Sequence, residues 1–516
     1  MSMPSCLSSV LEHSAQDPNA LLQLIPFAIA IMLAIVLRNA TVALACALIS
    51  AHVVVTWSCQ VREIIIEAIV GPLKDITQVL ASGDLYTLIF VATMAVLANE
   101  LVASGDIDQL VTWINRKRTL SKRKVGISAI LLGLFVFVES SLSCMIVGLT
   151  FRPLRKEVKM SPEKFSYICD SMSSPVAMLF PINGWGAFVM SQIASVGVAD
   201  PLNMLLKQMQ FAYYPIGAIL LCTIAVVFEW NIFGMKSAER KASTTIGRFN
   251  EARTHAHIKQ HKPGAREAID FLPSNTKQSQ AISNMAIPSV PATAKVPLAF
   301  ILTIVSLLFV NIALLALSGY YNLTHQLGAN LATIDINLWS VMGAAEGSLA
   351  VLISVLSVFG IRALLRWVIP SSNTLTTLFA VIWKSAKEIA PIILLMVLAF
   401  AFGRVSRELL RIDEVILSYI NGSVDAKYFA AVVFIAGAVL SFSTGTSWGT
   451  FAILIPIAMP LAAPMQVRPE IILAAILGGG VFGDQSSPIS DTTVLSSMMS
   501  ECRHGSLTII GYLLAR

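Results

Sequence analysis

The sequence predicts an all-α polytopic membrane protein of two inverted-topology repeats with discontinuous helices, in about 11–14 membrane segments. Three observations carry this reading. The 516 residues are 56% hydrophobic and only 13% charged, with mean hydropathy +0.74, whereas a soluble chain carries about 25% charge. Apolar runs approaching span length recur along both halves. A short polar run also occurs twice inside apolar sequence, as Asp170-Ser171-Met172-Ser173-Ser174-Pro175 and as Gly483-Asp484-Gln485-Ser486-Ser487-Pro488-Ile489-Ser490-Asp491-Thr492-Thr493. Carboxylates in lipid are costly and usually face a cavity or an ion path. A helix broken at that depth is tolerated where it lines such a cavity.

Candidate spans in the first half lie near 21–38, 41–57, 86–104, 125–138, 140–153, 165–190 and 209–230. The fourth and fifth are short, and Glu139 to Ser143 interrupts them. Residues 62–80 have the amphipathic pattern of an interfacial helix. Second-half candidates lie near 296–317, 338–360, 388–403, 428–442, 446–463, 471–495 and 505–515. Between the halves runs a polar, basic, proline-containing stretch. The expected domains are therefore a first repeat over 1–234, a cytoplasmic linker over 235–295 and a second repeat over 296–516. Residues 1–20 contain no Lys or Arg, and no small-residue cleavage site follows the first apolar run. The expectation is a retained first span rather than a cleaved signal peptide.

Basic loops orient the map. Arg116, Lys117, Arg118, Lys122, Arg123 and Lys124 form one, and Arg152, Arg155, Lys156 and Lys159 a second. The linker is the third. All three share the cytoplasmic side if the N-terminus is outside and the first half crosses seven times. An odd number also inverts the second repeat relative to the first. Arg404, Arg407 and Arg411 do not fit, because this count places them outside.

Each half places a hydroxyl-rich run ahead of its carboxylate–Ser-Ser-Pro element: Ser140-Ser141-Leu142-Ser143 in the first, Ser441 to Ser447 in the second. Asp484 and Asp491 would share a face of a continuous helix, but Pro488 argues for a break between them. Unwound backbone frees carbonyls and brings helix ends into the cavity. Carboxylate, hydroxyl and carbonyl oxygens are hard ligands suited to a hard cation. The candidate ion- or substrate-binding residues are Glu139, Asp170, Ser173, Ser174, Asn183, Thr444, Thr446, Ser447, Asp484, Ser486, Ser487, Asp491 and Thr492, with Na⁺ placed at Asp170 and Asp484. Simpler readings stand beside these. Asp484 could be a helix cap, Asp170 an interfacial cap, and the small residues of 442–450 a packing seam. Seven cysteines without a Cys-x-x-Cys pair read as small packing residues, and His255, His257 and His261 lack the partners of a metal site.

At Phe442–Ala452, Gly483–Ser497, Arg152-Pro153, Asp170–Pro175 and Pro181–Phe188 the chain resembles the NhaC-type sodium/proton antiporter family, within a larger ion-transporter superfamily. The resemblance implies a secondary transporter with inverted repeats and a mid-membrane cavity, and roles for Asp170, Thr444, Thr446, Asp484, Ser487 and Asp491. Three departures stand out. Val138-Glu139-Ser140-Ser141-Leu142-Ser143 replaces the family's Phe-Asp-Asp-Tyr-x-Asn, and Gly483-Asp484-Gln485 replaces Gly-Asp-His. The short last apolar run is consistent with a shortened last helix.

The function expected is Na⁺/H⁺ antiport in a bacterial inner membrane, by alternating access, with Na⁺ and H⁺ competing for embedded carboxylates. The alternative is a Na⁺- or H⁺-coupled carrier of an amino acid or small carboxylate on the same fold, and an uncoupled channel ranks third. His-Glu-x-x-His and phosphate-loop motifs do not occur in the embedded segments. No cofactor is expected beyond transported Na⁺ and H⁺. The expected partners are membrane lipid and the transported cation or solute, with a homodimer possible and nucleic acid excluded.

Overall fold

The computed structural model describes residues 20–57, 59, 61–114, 121–137, 139–181, 183–231, 234–242, 297–327, 341, 347–368, 375–411 and 426–502. Among these the chain is helical throughout, as expected. The His255–His261 group, most of the 235–295 linker and the 505–515 run lie outside the described residues; the start of the linker, 234–242, is helical.

The first half opens with α1 (Ile25–Leu37) and α2 (Ala40–Val55). Arg38 makes the turn between them with φ 51°, and the Asn39 side chain caps α2 by accepting from Val42 N at 3.1 Å. Next comes α3 (Val61–Ala81), the expected amphipathic helix. It buries Glu67 and Gly71 and exposes Val61, Ile65, Ile69 and Leu73, so its apolar residues point away from the protein. That is the polarity of a helix bathed by lipid. Its inward face is held by His52 of α2, whose Nε2 lies 2.7 Å from Asp75.

Among the described residues, three helices are long and apolar enough to cross a membrane: α4 (Asp84–Ala103), and large parts of α13 (Leu298–Leu327) and α15 (Leu375–Glu408). Two further spans are bent pairs. α8 (Pro162–Ser171) and α9 (Ser174–Leu179) run on to α10 (Gly184–Ser195) with a 42° bend, and α11 (Pro201–Gln208) continues through Phe211 into α12 (Tyr213–Val227) with a 49° bend. The scaffold is closed by α5 (Asp106–Ile114) and α14 (Gly347–Val368). Buried Arg362 of α14 pairs with Glu100 and Asp106 and donates to Thr303 Oγ1, tying α4, α5, α13 and α14 together.

The short apolar runs at 125–138 and 140–153 are two arms of one hairpin, α6 (Lys122–Phe135) and α7 (Ser140–Glu157). Its base is fixed by one carboxylate. Glu239 accepts from Lys122 Nζ at 2.8 Å and from Ser161 N at 2.6 Å, so the chain enters and leaves at the same end. This joins all three basic stretches at one end of the molecule, as the charge pattern predicts. At 14 residues α6 reaches only about 21 Å, and Val136 and Phe137, just past its end, are buried inside the protein.

The second half repeats the plan in the opposite sense. α16 (Ala426–Thr444) runs parallel to α18 (Pro469–Ser486): Gly479 packs on Phe434, and Gly483 on Ala438. α17 (Ser447–Ala458) returns antiparallel, with Ser447 against Asp484 and Phe451 against Gly480. The runs at 428–442 and 446–463 are thus the arms of a second hairpin, entering from the far end. Gly445, at φ +68°, makes its tip, a backbone geometry that favours glycine. The expected span 471–495 is broken in two, α18 and α19 (Asp491–Ser500). α19 runs beside α7, with Thr492 near Cys144 and Met499 on Gly148, and reaches the basic end, where Glu501 meets Arg152, Arg155 and Lys156. Two hairpins entering from opposite ends, each followed by a broken helix, are the inverted repeats.

Arg404 pairs with Asp84 at 2.7 Å, and Asp84 also accepts from Ser191. Its charge is neutralised at the far end, which accounts for its departure from the basic-loop pattern. Cys46, Cys144, Cys169, Cys222 and Cys502 are not in disulfides, but Cys59, just after α2, is disulfide-bonded and so is not simply a packing residue.

Candidate functional site

The two hairpin tips and the two helix breaks meet in the middle of the protein. Four helices end there with their carbonyls inward: α6, α8, α16 and α18. Four start there: α7, α9, α17 and α19. Helix starts carry partial positive charge and helix ends partial negative charge, so the centre offers favourable ends to both a carboxylate and a cation.

Asp484 lies in the last turn of α18, not at a helix start, which removes the N-cap alternative. It is 2% exposed. Its Oδ2 accepts from Ser447 Oγ at 3.0 Å, while its Oδ1 has no hydrogen-bond partner. Asp170 closes α8, well inside from Ser161, so it is not an interfacial cap. Its Oδ1 is likewise unpartnered, and its carbonyl accepts from Ser173 Oγ at 2.6 Å and from Gln485 Nε2 at 3.1 Å. Gln485, where the family has a histidine, accepts in turn from Tyr214 OH at 2.6 Å. The Thr492 hydroxyl stands beside Asp170 and 3.2 Å from Ser490 Oγ.

Asp491 opens α19 and retains accessible surface together with Pro488 and Ile489, so the α18–α19 break faces an opening. Glu139 caps α7, accepting from Ser141 N at 3.1 Å and Leu142 N at 2.6 Å. Asp491 stands within electrostatic reach of Asp484, Asp170 and Glu139. Acids from both repeats therefore share one centre. Among the described residues, none of the four forms an ion pair with a basic side chain, and no three His, Cys, Asp or Glu side chains stand close enough to hold a metal ion. A cation would therefore draw on one carboxylate with nearby hydroxyls and carbonyls.

The hydroxyls divide into committed and free. Thr444 Oγ1 bonds Leu440 O at 2.9 Å, and Ser487 Oγ bonds Phe442 O at 2.8 Å, so both hold the second hairpin in place. Ser174 Oγ and Ser486 Oγ are buried without partners. Thr446 occupies the N-cap position of α17 without making a side-chain cap bond. Asn183 sits apart from the acids. Its amide donates to Phe137 O at 3.2 Å and Ala177 O at 2.6 Å, and its oxygen accepts from Gly186 N at 2.9 Å, so it clamps the first tip to α9 and α10. Packing and site coincide along 442–450: Gly449 packs on Ala40, and Trp448 on Trp185 and Phe188.

Sequence reasoning missed Tyr214 and Tyr167. They line, with Asp170 and Gln485, a cavity of about 280 Å³ between α8, α12 and the α18–α19 break. In sequence they are aromatic residues on apolar helices, indistinguishable from packing.

The chain is similar to several known proteins. A Haemophilus influenzae protein described only as uncharacterized is 24% identical over 498 residues, covering 93% of this chain and 85% of its own. The malate-2H⁺/Na⁺-lactate antiporter of Bacillus subtilis is 37% identical over 85 residues, 16% of this chain and 17% of that one. Among solved structures, the Alcanivorax borkumensis YdaH transporter aligns over 86% of this chain and 82% of its own at 14% identity, with a TM-score of 0.48. The profile of the Na⁺/H⁺ antiporter family matches residues 189–514, from α10 to beyond α19, and the chain belongs to that family.

Proposed function

We propose that this secondary transporter exchanges Na⁺ for H⁺. The observation that carries the reading is the meeting of Asp484, Asp170, Asp491 and Glu139 at the tips and breaks of two oppositely entering repeats, without a basic partner. A carboxylate in such a place holds either a proton or a cation, since an unpaired buried charge is costly. One site shared by two cations gives exchange when it opens to each side in turn. Asp484 and Asp170 are the principal carriers, and Glu139 and Asp491 support them. The hydroxyls of Ser447, Ser486 and Thr492 complete an oxygen shell of the hard type. Rocking of one hairpin-and-break unit against the other supplies alternating access.

The basic end, gathered at Glu239, is assigned to the cytoplasm of a bacterial inner membrane by the positive-inside rule.

A second reading follows from the Bacillus subtilis relative, whose name describes malate and lactate exchange. A carboxylate cargo needs a cationic partner, and none lines the cavity beside Asp170. That favours a cation as cargo.

The test is proton flux in proteoliposomes carrying a pH-sensitive dye, with Na⁺, Li⁺ and K⁺ added in turn. Dequenching by Na⁺ or Li⁺ but not K⁺, lost in Asp170→Asn and Asp484→Asn, is the expected result. A folded preparation that responds to none of the three overturns the reading.

A further inference from the structure

The cavity beside Asp170 is larger and differently lined from what a bare metal cation needs. Its volume of about 280 Å³ approaches the roughly 300 Å³ at which pockets begin to take drug-sized ligands. Among the described residues its only charged lining group is Asp170, whose Oδ1 is unpartnered. Two more lining atoms, Ser166 Oγ and Thr493 Oγ1, are buried without hydrogen-bond partners, on residues 0% and 1% exposed. Tyr167, Tyr213 and Tyr214 supply aromatic walls. Gln485 is neutral, and its amide is committed to the Tyr214 hydroxyl and the Asp170 carbonyl.

Each feature selects on charge and shape. A carboxylate with no Lys or Arg on the same wall repels an anion. Aromatic faces attract an ammonium group by cation–π interaction, more strongly when both are desolvated. Unpartnered hydroxyls can accept from an ammonium N–H, and each is otherwise a buried polar atom left at a cost. A carbon chain suits the apolar remainder of the wall, where Leu221 and Ala218 lie.

We infer that the cavity between α8, α12 and the α18–α19 break binds a small organic monoammonium cation, its charged head at Asp170 and its carbon body among Tyr167, Tyr213 and Tyr214. The inference rests on the reading that these carboxylates hold cations, and it extends the cargo class from metal cations to organic ones. Sharing Asp170 makes the organic cation and Na⁺ mutually exclusive there.

Gly217 supplies a test that leaves the acids alone. It lines the cavity, and no heavy atom lies within 4 Å of where its Cβ would stand, so the backbone there admits a side chain. The experiment is calorimetric titration of the detergent-purified full chain at pH 8 with butylammonium, and separately with butyrate as the anionic control. Expected are saturable butylammonium binding, no butyrate binding, and an apparent butylammonium Kd that rises in proportion to added Na⁺. Gly217→Leu should weaken butylammonium at least tenfold while Na⁺-driven proton flux in proteoliposomes persists. Ala218→Leu, on the same wall, provides a second blocking variant should Gly217→Leu not fold. Absence of butylammonium binding to a chain with intact Na⁺ flux overturns the inference and spares the exchange reading. Equal binding by butyrate, or undiminished binding in folded blocking variants, also overturns it. Absence of Na⁺ flux in the unaltered chain counts against the exchange reading, and the butylammonium isotherm then tests the cavity inference by itself.

Discussion

The Ser447 hydroxyl, at the first turn of α17, donates to Asp484 Oδ2 at 3.0 Å, and the other oxygen of that carboxylate has no partner. The bond links the second hairpin to the broken helix beside it, where the sequence places 36 residues between the two side chains. It leaves Asp484 half satisfied, and the free oxygen is the natural position for a proton or a cation.

Asp484→Asn should therefore abolish Na⁺-driven proton flux while the protein still reaches the membrane. Ser447→Ala should keep flux but weaken apparent Na⁺ affinity. A hydrogen bond to a charged group contributes about 1.5–3 kcal/mol, so the expected loss is roughly 10- to 100-fold. Dose–response curves for Na⁺ in proteoliposomes check both. Normal exchange by Asp484→Asn would remove this residue from the mechanism.

Asn183 is expected to act as a clamp rather than as a ligand, because its three bonds all go to backbone atoms of the first tip and of α9 and α10. Asn183→Ala leaves buried backbone groups unpaired, at about 1–3 kcal/mol. The prediction is a lower melting temperature and slower turnover at unchanged Na⁺ affinity. A large affinity loss at unchanged stability would make it a ligand instead.

The sequence revealed the acids and the repeat more readily than the hairpins. Asp170, Asp484 and Asp491 stand out because a carboxylate next to Ser-Ser-Pro in apolar sequence has few structural uses. The opposed repeats followed from where Lys122, Arg155 and the linker fall, and Glu239 joins those stretches in space. Hairpins were harder to see. Hydropathy counts apolar residues and is blind to direction, so α6 and α7, or α16 and α17, look like short crossings until Ser161 and Lys122 are found on one carboxylate. Asn183 and Thr444 were read as ligands because polarity alone does not tell a free side chain from one already bonded to the backbone. Tyr214 carried no signal, since its role depends on Gln485, distant in sequence.

Glu239 should make stability depend on acid pH. Burial alone would raise its carboxyl pKa, but the hydrogen bonds from Lys122 and Ser161 outweigh burial and hold it below the ordinary glutamate range. A carboxyl lowered on folding contributes stability that is fully present above its unfolded pKa, about 4.3, and is lost as pH falls through the folded value. Melting temperature in detergent should therefore fall more steeply below about pH 4.3 in the unaltered chain than in Glu239→Gln. At pH 7 Glu239→Gln should already be less stable, by about 1–3 kcal/mol for the charged partner left behind. Equal melting temperatures at pH 7 would show that the clasp contributes nothing.

Glycines on the second repeat should separate packing from helix propensity. A Cβ at Gly479 would collide with Phe434 O, and one at Gly483 with Ala438 O, because α16 and α18 approach backbone to backbone. Close approach of this kind is what small residues permit between membrane helices. Gly479→Ala and Gly483→Ala should each destabilise by about 1–3 kcal/mol, the usual cost of overpacking, and Gly483→Ala should also disturb Asp484 next to it. Gly360 of α14 has nothing within 4 Å of a Cβ position. Gly360→Ala should instead stabilise, by up to about 1 kcal/mol from helix propensity. Thermal unfolding followed by tryptophan fluorescence distinguishes the two signs, and a stabilised Gly479→Ala would contradict the close parallel packing of α16 on α18.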